Sequence, residues 1–208
     1  PADVKLMVGT DPDTGKKMEI QKDGISFLMS RDRAVLADSM GLGKTLQAIV
    51  AAHNSVPANE QILVLCPAAV VGNWQKEVRW LAPGAPAVIV TNSVRVGGDN
   101  TIGTNFAVGK RYPDNKKTYG TLAGKLVDGE PSRRGSKARF IIASYQGAAS
   151  RAGDAPLRKY LMGITWGCVI LDEAHRLKKP ETLGHKFVEK LKTHRLWALS
   201  GTIISNRP

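Results

Sequence analysis

From about Glu19 onward, apolar residues arrive in two alternating rhythms. In "EIQKDGISFLMSR", Ile25, Leu28 and Met29 recur at i, i+3 and i+4, the spacing of one helical face. The short apolar run "RAVLAD" follows and predicts a strand. "TLQAIVAAHNSV" reads as helix and "QILVLCP" as a buried strand, while "VVGNWQKEVRWLA" sets Val71, Trp74, Val78 and Leu81 on one helical stripe. The alternation continues through strands "APAVIVT", "ARFIIAS", "GCVILDE" and "RLWALSGT", with helices around Ala155 to Met162 and Thr182 to Lys192. Ahead of it, "DPDTG" predicts the turn of a short hairpin.

Near-continuous apolar strands separated by helices are buried on both faces, which is the pattern of a parallel sheet. The predicted fold class is α/β: a doubly wound, mostly parallel sheet with helices on both faces. In such sheets ligands bind outside the carboxyl ends of the strands, and the polar residues after Ala37, Cys66, Ala143, Leu171 and Leu199 all fall there. Residues 96–137 break the rhythm. Rich in Gly, Lys, Arg and turn formers, they read as one polar insertion between two strands. Within it Lys110, Arg111, Lys116, Lys117, Arg133, Arg134 and Lys137, interleaved with Tyr112 and Tyr119, suit either a nucleic-acid contact or a solvated loop.

Composition adds a few limits. A chain of 208 residues suits one domain, 17–208, behind a short extension, 1–16. Hydrophobic residues make up 42%, yet no apolar run approaches the ~18 residues of a membrane span, and the start lacks the order of a secretory signal. The expectation is a soluble protein that is not exported. Cys66 and Cys168 lie in strand-like runs without a C-x-x-C partner, so both read as buried thiols in a reducing intracellular compartment, cytoplasm or nucleus. His53, His175, His185 and His194 show no metal-ligand spacing, and no zinc site is expected. The formal charge of +12 suits a polyanionic partner or simply a solvated surface.

Two segments carry chemistry. In "DSMGLGKT", from Asp38 through Met40 and Leu42 to Thr45, Gly41 and Gly43 let backbone amides turn inward toward an anion, and the helix that starts near Lys44 adds its positive end. A nucleoside triphosphate is the expected occupant, with Lys44 reaching its outer phosphates and the Thr45 hydroxyl on Mg2+. In "CVILDEAH", Asp172 ends a buried strand, where a carboxylate is costly unless it meets a cation such as that Mg2+. Glu173 follows, placed to orient or deprotonate the attacking water. ATP or GTP hydrolysis is the reaction class, with Lys44, Asp172 and Glu173 as its catalytic residues.

At this point the chain resembles the first RecA-like lobe of the Swi/Snf-type DNA translocases, within superfamily two of the helicase-like ATPases. The likeness runs from about Gln21 to Asn206. "QKDGISFL" resembles the family's Q-motif helix, which implies an adenine contact for Gln21. "ADSMGLGKT" resembles its first motif, which begins with Asp and accounts for Asp38. "LVLCPAAVVGNWQKEV" is similar to a motif whose loop touches the DNA backbone, which implies such contacts near Pro67, Asn73 and Lys76. "IIASYQGA" resembles a further DNA-contacting segment, with Tyr145 and Gln146. "ILDEAHRLKKPET" resembles the magnesium and water motif, and His175 and Arg176 take the family's linking position. "ALSGTIISNRP" resembles the coupling motif, with Ser200, Gly201 and Thr202.

The chain departs from the family at Ser39, usually Glu, at Ile203, usually Pro, and at Ser205, usually Gln. The first leaves the backbone amides of the loop in place; the second relaxes the coupling segment. A second RecA-like lobe is expected to be absent from these 208 residues. Because in the family that lobe supplies arginines to the γ-phosphate, the resemblance implies weak hydrolysis by this chain alone. The leading expectation is an ATP-driven translocase on double-stranded DNA, with ATP and Mg2+ as ligands and a second lobe in cis or trans. An RNA helicase lobe and a nucleotide-gated nucleic-acid-binding module without useful catalysis stand beside it.

Overall fold

The computed structural model describes residues 9–10, 17–91, 105–107, 126–127, 130–131, 138–150 and 156–201. β1 (Gly9–Thr10) pairs antiparallel with β2 (Lys17–Met18), as a hairpin around "DPDTG" requires, although the turn lies outside the described residues. The alternating rhythm then gives α1 (Ile20–Met29), β3 (Arg33–Leu36), α2 (Lys44–Ser55), β4 (Ile62–Cys66), α3 (Val71–Leu81) and β5 (Ala87–Thr91). After the insertion it resumes with β9 (Phe140–Ser144), α4 (Tyr145–Ala149), α5 (Pro156–Met162), β10 (Thr165–Leu171), α6 (Leu183–Val188) and β11 (Lys192–Leu199). Inside the insertion, β6 (Asn105–Ala107) joins the sheet and β7 (Leu126–Val127) pairs antiparallel with β8 (Glu130–Pro131). The insertion's cations and tyrosines lie outside the described residues.

Seven strands form one sheet in the order β3-β11-β10-β4-β9-β5-β6, and every neighbouring pair is parallel. Alternate side chains serve two cores, as the pleat demands. On β4, Ile62, Val64 and Cys66 point to the face covered by α1, α2 and α3, where Leu28, Ile49, Trp74 and Val78 pack. Leu63 and Leu65 point to the other face, with Ala148, Leu157, Leu161 and Phe187 of α4, α5 and α6. Burying one such aliphatic side chain stabilises by roughly 1.5–3 kcal/mol, and only a strand flanked by helices on both faces buries all of its residues. Both cysteines are fully buried and free, as their apolar runs predict. At the amino edge of the sheet the Arg139 guanidinium donates to the carbonyls of Val56, Pro57 and Glu60, pinning the loop that follows α2.

Two boundaries differ from the sequence reading. The helix expected over 182–192 ends at Val188, because the Lys190 and Leu191 amides make tighter three-residue bonds to Phe187 and Val188 and Lys192 already begins β11. The segment after "IIAS" turns at once into α4, whose first turn is capped by Ser144, its hydroxyl accepting from the Gly147 amide at 3.1 Å. So short a helix leaves no periodicity to read.

α1 meets α2 at Gly24, where a Cβ would stand 1.7 Å from Gln47 Oε1. Gln47 is fully buried, so it has no room to yield. Gly24→Ala is therefore expected to overpack this contact by ~1–3 kcal/mol, lowering the melting temperature of the chain by roughly 3–10 °C as followed by circular dichroism.

Candidate functional site

The phosphate-type loop leaves β3 at Leu36 and enters α2 at Lys44. Gly41 and Gly43 have φ of +87° and +74°, which side-chain-bearing residues rarely adopt, and no atom lies within 4 Å of the place where a Gly41 Cβ would stand. Gly43 caps α2 without any side-chain hydrogen bond, so no side chain competes for that helix's first amides. The result is an open cradle of backbone donors. Met40, 78% exposed, stands at its rim.

Two buried amides hold the cradle in shape. Gln47 Nε2 donates to Asp38 Oδ2 at 3.1 Å and to the Leu42 carbonyl at 3.0 Å, so one side chain staples both ends of the loop. This contact gives Asp38 a structural reason to replace the usual glycine. Gln21, for which the resemblance implies an adenine contact, is 4% exposed and donates its Nε2 to the same Leu42 carbonyl at 3.2 Å. A Cβ at Gly43 would meet that amide at 2.3 Å. Lys44 Nζ donates to the carbonyls of Asp38 and Ser39 at 2.7 and 2.8 Å, folding the ammonium group back over its own loop. Thr45, next along α2, is half-buried.

Asp172 and Glu173 leave the end of β10, two places across the sheet from β3 with β11 between them. The β11 end supplies Ser200, 4% exposed, whose amide donates to the Leu36 carbonyl at 3.1 Å. Next to it, a Cβ on Gly201 would come 3.7 Å from Lys44 Nζ. Thr202 lies outside the described residues. Three loops therefore meet at the carboxyl ends of neighbouring strands, and the Lys44 charge is felt at the Asp172 carboxyl.

Asp172 is held on every side. Its Oδ2 accepts from Trp74 Nε1 at 2.8 Å, its Oδ1 from the Glu173 amide at 2.9 Å, and its carbonyl from the Tyr145 hydroxyl at 2.8 Å. Burial raises the carboxyl above its usual range, while the Trp74 bond, the Glu173 amide and Lys44 pull it back. Glu77 on α3 is raised for the same first reason, and then by the Asp172 charge. Glu173 has φ of 50°, alone among the described non-glycine residues in that region, at a cost of about 1–2 kcal/mol. Its Oε2 lies 3.2 Å from His175 Nδ1 but misaligned for a hydrogen bond, and that nitrogen has no hydrogen-bond partner.

The donor set fits a magnesium-bound polyphosphate. Among the described residues no three His, Cys, Asp or Glu side chains converge to hold a metal by themselves, so a cation here would take its remaining oxygens from water or an anionic ligand. Mg2+ takes such mixed oxygen sets, and a half-buried carboxylate raised by burial gains from a cation. Thr45 and Asp172 are the residues available to it.

The outer contacts divide. Asn73 and Lys76 are exposed on one face of α3, and Trp80, 59% exposed, continues that face, a residue the sequence reading passed over. Trp74 points the opposite way, 1% exposed, in the core as its stripe predicts. Pro67 is buried at the end of β4. Tyr145 turns inward rather than outward: it is 8% exposed, its hydroxyl is occupied by Asp172, and burial raises its phenol. Its neighbour Gln146 is exposed and shares with Arg176, Leu177 and Leu183 an open groove of about 520 Å³.

The chain resembles known proteins along most of its length. The chain is 28% identical over 195 residues to "Chromodomain-helicase-DNA-binding protein 1-like" of Danio rerio, covering 89% of this chain and 16% of that protein. It is 27% identical over 195 residues to "DNA repair and recombination protein RAD26" of Saccharomyces cerevisiae, covering 83% of this chain and 17% of that one. The chain thus spans about a sixth of the length of these curated relatives. It also superposes on the SWI2/SNF2 ATPase core domain of Sulfolobus solfataricus with a TM-score of 0.57 and 25% identity, covering 89% of this chain and 31% of that one. That likeness confirms a RecA-like, parallel-sheet architecture. A family model described as the SNF2-related domain matches residues 20–208, and the chain belongs to that family.

Proposed function

We infer that this chain is the nucleotide-binding lobe of a DNA-stimulated ATPase that moves along double-stranded DNA by opening and closing against a second RecA-like lobe, in cis or in trans. The observation that carries the reading is the meeting of the open glycine cradle, Lys44 and the Asp172–Glu173 pair at one edge of the sheet. ATP is the nucleotide favoured by the "ATPase core" title of the solved relative, and double-stranded DNA is the track favoured by the DNA-binding and DNA-repair names of the curated relatives. The formal charge of +12 supports a polyanionic partner. In this reading the protein works inside the cell, in cytoplasm or nucleus, as the DNA-repair and DNA-binding names of the relatives favour.

In this reading the amides from Gly41 to Thr45 receive the phosphates, and Lys44 leaves the carbonyls of Asp38 and Ser39 for the outer phosphate oxygens. The Thr45 hydroxyl and the Asp172 carboxylate would hold Mg2+, which neutralises charge on the phosphates when bound. Glu173 orients the attacking water and accepts its proton, with His175 beside it. Ser200 and Gly201 report the state of the cradle, because β11 lies directly against β3. Asn73, Lys76 and Gln146 meet the nucleic-acid backbone. Tyr145 serves the site from inside.

Lys44→Ala is expected to abolish Mg-ATP binding in calorimetry while leaving the circular dichroism spectrum unchanged; an unaltered affinity would sink the site assignment. Burial raises the Asp172 carboxyl above its unfolded value, so the empty lobe is penalised at neutral pH and relieved as pH falls through the raised value. Mg-ATP requires the ionised form, so its stabilisation of the lobe in thermal shift should be larger at pH 8 than at pH 5. A grip on about five DNA phosphates predicts a roughly few-hundred-fold loss of affinity between about 50 and 200 mM salt, measured by fluorescence anisotropy with a labelled duplex. Structured RNA competing better than duplex DNA would favour an RNA helicase instead.

A further inference from the structure

α3 has two faces with different business. Its outer face carries Asn73, Lys76 and the exposed Trp80, and its inner face sends Trp74 through the core to the carboxylate at the end of β10. The indole ring is 1% exposed and packed in the same cluster as Val64, Cys66 and Val78, so it follows the helix wherever the helix goes. Its only polar atom, Nε1, ends 2.8 Å from Asp172 Oδ2. Because the second oxygen is fixed by the Glu173 amide, both ends of the carboxylate are specified and its plane cannot rotate without breaking a bond. Each oxygen still keeps a lone pair for a cation. A second link arrives from α4, where the Tyr145 hydroxyl fixes the Asp172 carbonyl next to the exposed Gln146.

We propose that Trp74 is a positioning residue that couples nucleic-acid contact on the outer face of α3 to the aim of the Asp172 carboxylate at Mg2+. The proposal rests on the reading of the site given above. A helix pressed by a phosphate backbone at Asn73 and Lys76 moves as one rigid body, and the Nε1–H···Oδ2 bond passes that displacement to the metal ligand. The coupling is reciprocal, as all binding linkage is: whatever nucleic acid does to Mg-nucleotide affinity, Mg-nucleotide does to nucleic-acid affinity. Tyr145 is a parallel, weaker route, since it holds the backbone of Asp172 and not its carboxylate.

The test uses the whole chain and two variants, Trp74→Phe, which keeps an aromatic ring and removes the N–H, and Tyr145→Phe. A fluorescent ATP analogue is titrated with and without Mg2+, and with and without a saturating 20-base-pair duplex. In Trp74→Phe the Mg2+ concentration for half-maximal nucleotide binding should rise about 5- to 20-fold, corresponding to roughly 1–2 kcal/mol, while metal-free nucleotide affinity stays within about twofold. The shift of that Mg2+ midpoint by duplex DNA, present in the unaltered chain, should largely vanish. Tyr145→Phe should reduce the same shift by a smaller factor. A Trp74→Phe chain with an unchanged Mg2+ midpoint and an unchanged DNA effect would overturn the proposal and leave the indole as a satisfied core donor. An unaltered chain that binds no Mg-nucleotide would overturn the site reading itself, and the proposal with it. If Trp74→Phe does not fold, benzothienylalanine at position 74, which keeps the bicyclic shape and lacks only the N–H, takes its place with the same expected and overturning results.

Discussion

A sheet in which every neighbouring pair runs parallel sends all its carboxyl ends to one edge, and that constraint makes this site possible. Residues from Asp38 to Thr45, from Asp172 to His175, and Ser200 and Gly201 are far apart in the chain, yet each group follows a strand that ends there. Antiparallel pairing of β11 alone would carry Ser200 to the far side, away from Lys44. Parallel strands need crossovers, crossovers need helices, and the helices supply both the cover for two apolar faces and the open amides at the start of α2.

Once the loops converge, the difficulty is holding polar groups at the border of a dry core. Asp172 is costly there, and each contact made to it limits that cost: an indole N–H, an amide, a tyrosine hydroxyl at the adjacent carbonyl, and the charge of Lys44. The loop is handled differently. Gln47 and Gln21 both donate to one carbonyl, that of Leu42, which fixes the turn without occupying the amides that face outward. Close packing of glycines enforces the arrangement, since Gly24 admits Gln47 and Gly43 admits Gln21.

Much of this was written plainly in the residues. Apolar runs of strand length gave six of the strands; in inner ones such as β4 and β10 two-sided burial leaves almost no polar position to interrupt them, while β3 and β11 keep exposed and polar residues. The glycine spacing before Lys44 and the carboxylates after a buried run marked out the candidate site, because each pattern is short and local. What escaped detection depends on partners far away in sequence. Trp74 looks like any core tryptophan until Asp172 is seen beside its nitrogen, and Tyr145 looks exposed until its hydroxyl is found on the carbonyl of Asp172. Gln47 sits in an amphipathic helix with nothing to mark it as a staple. The sequence also could not show that β6, inside a polar insertion, would extend the sheet beyond β5.

The strand that feeds the phosphate-type loop is an outermost one. Among the described residues β3 is bonded only to β11, and Val35 on it is 55% exposed. A margin strand is the most compliant part of a sheet: it bends while breaking the fewest ladder bonds, and here its sole neighbour ends in Ser200 and Gly201. A change of shape in the loop would therefore act first on these two strands, where the fewest ladder bonds stand in its way. The loop at Lys44 and the Ser200–Gly201 pair hang from the sheet's margin, while Asp172 and Glu173 leave β10, which is paired on both sides.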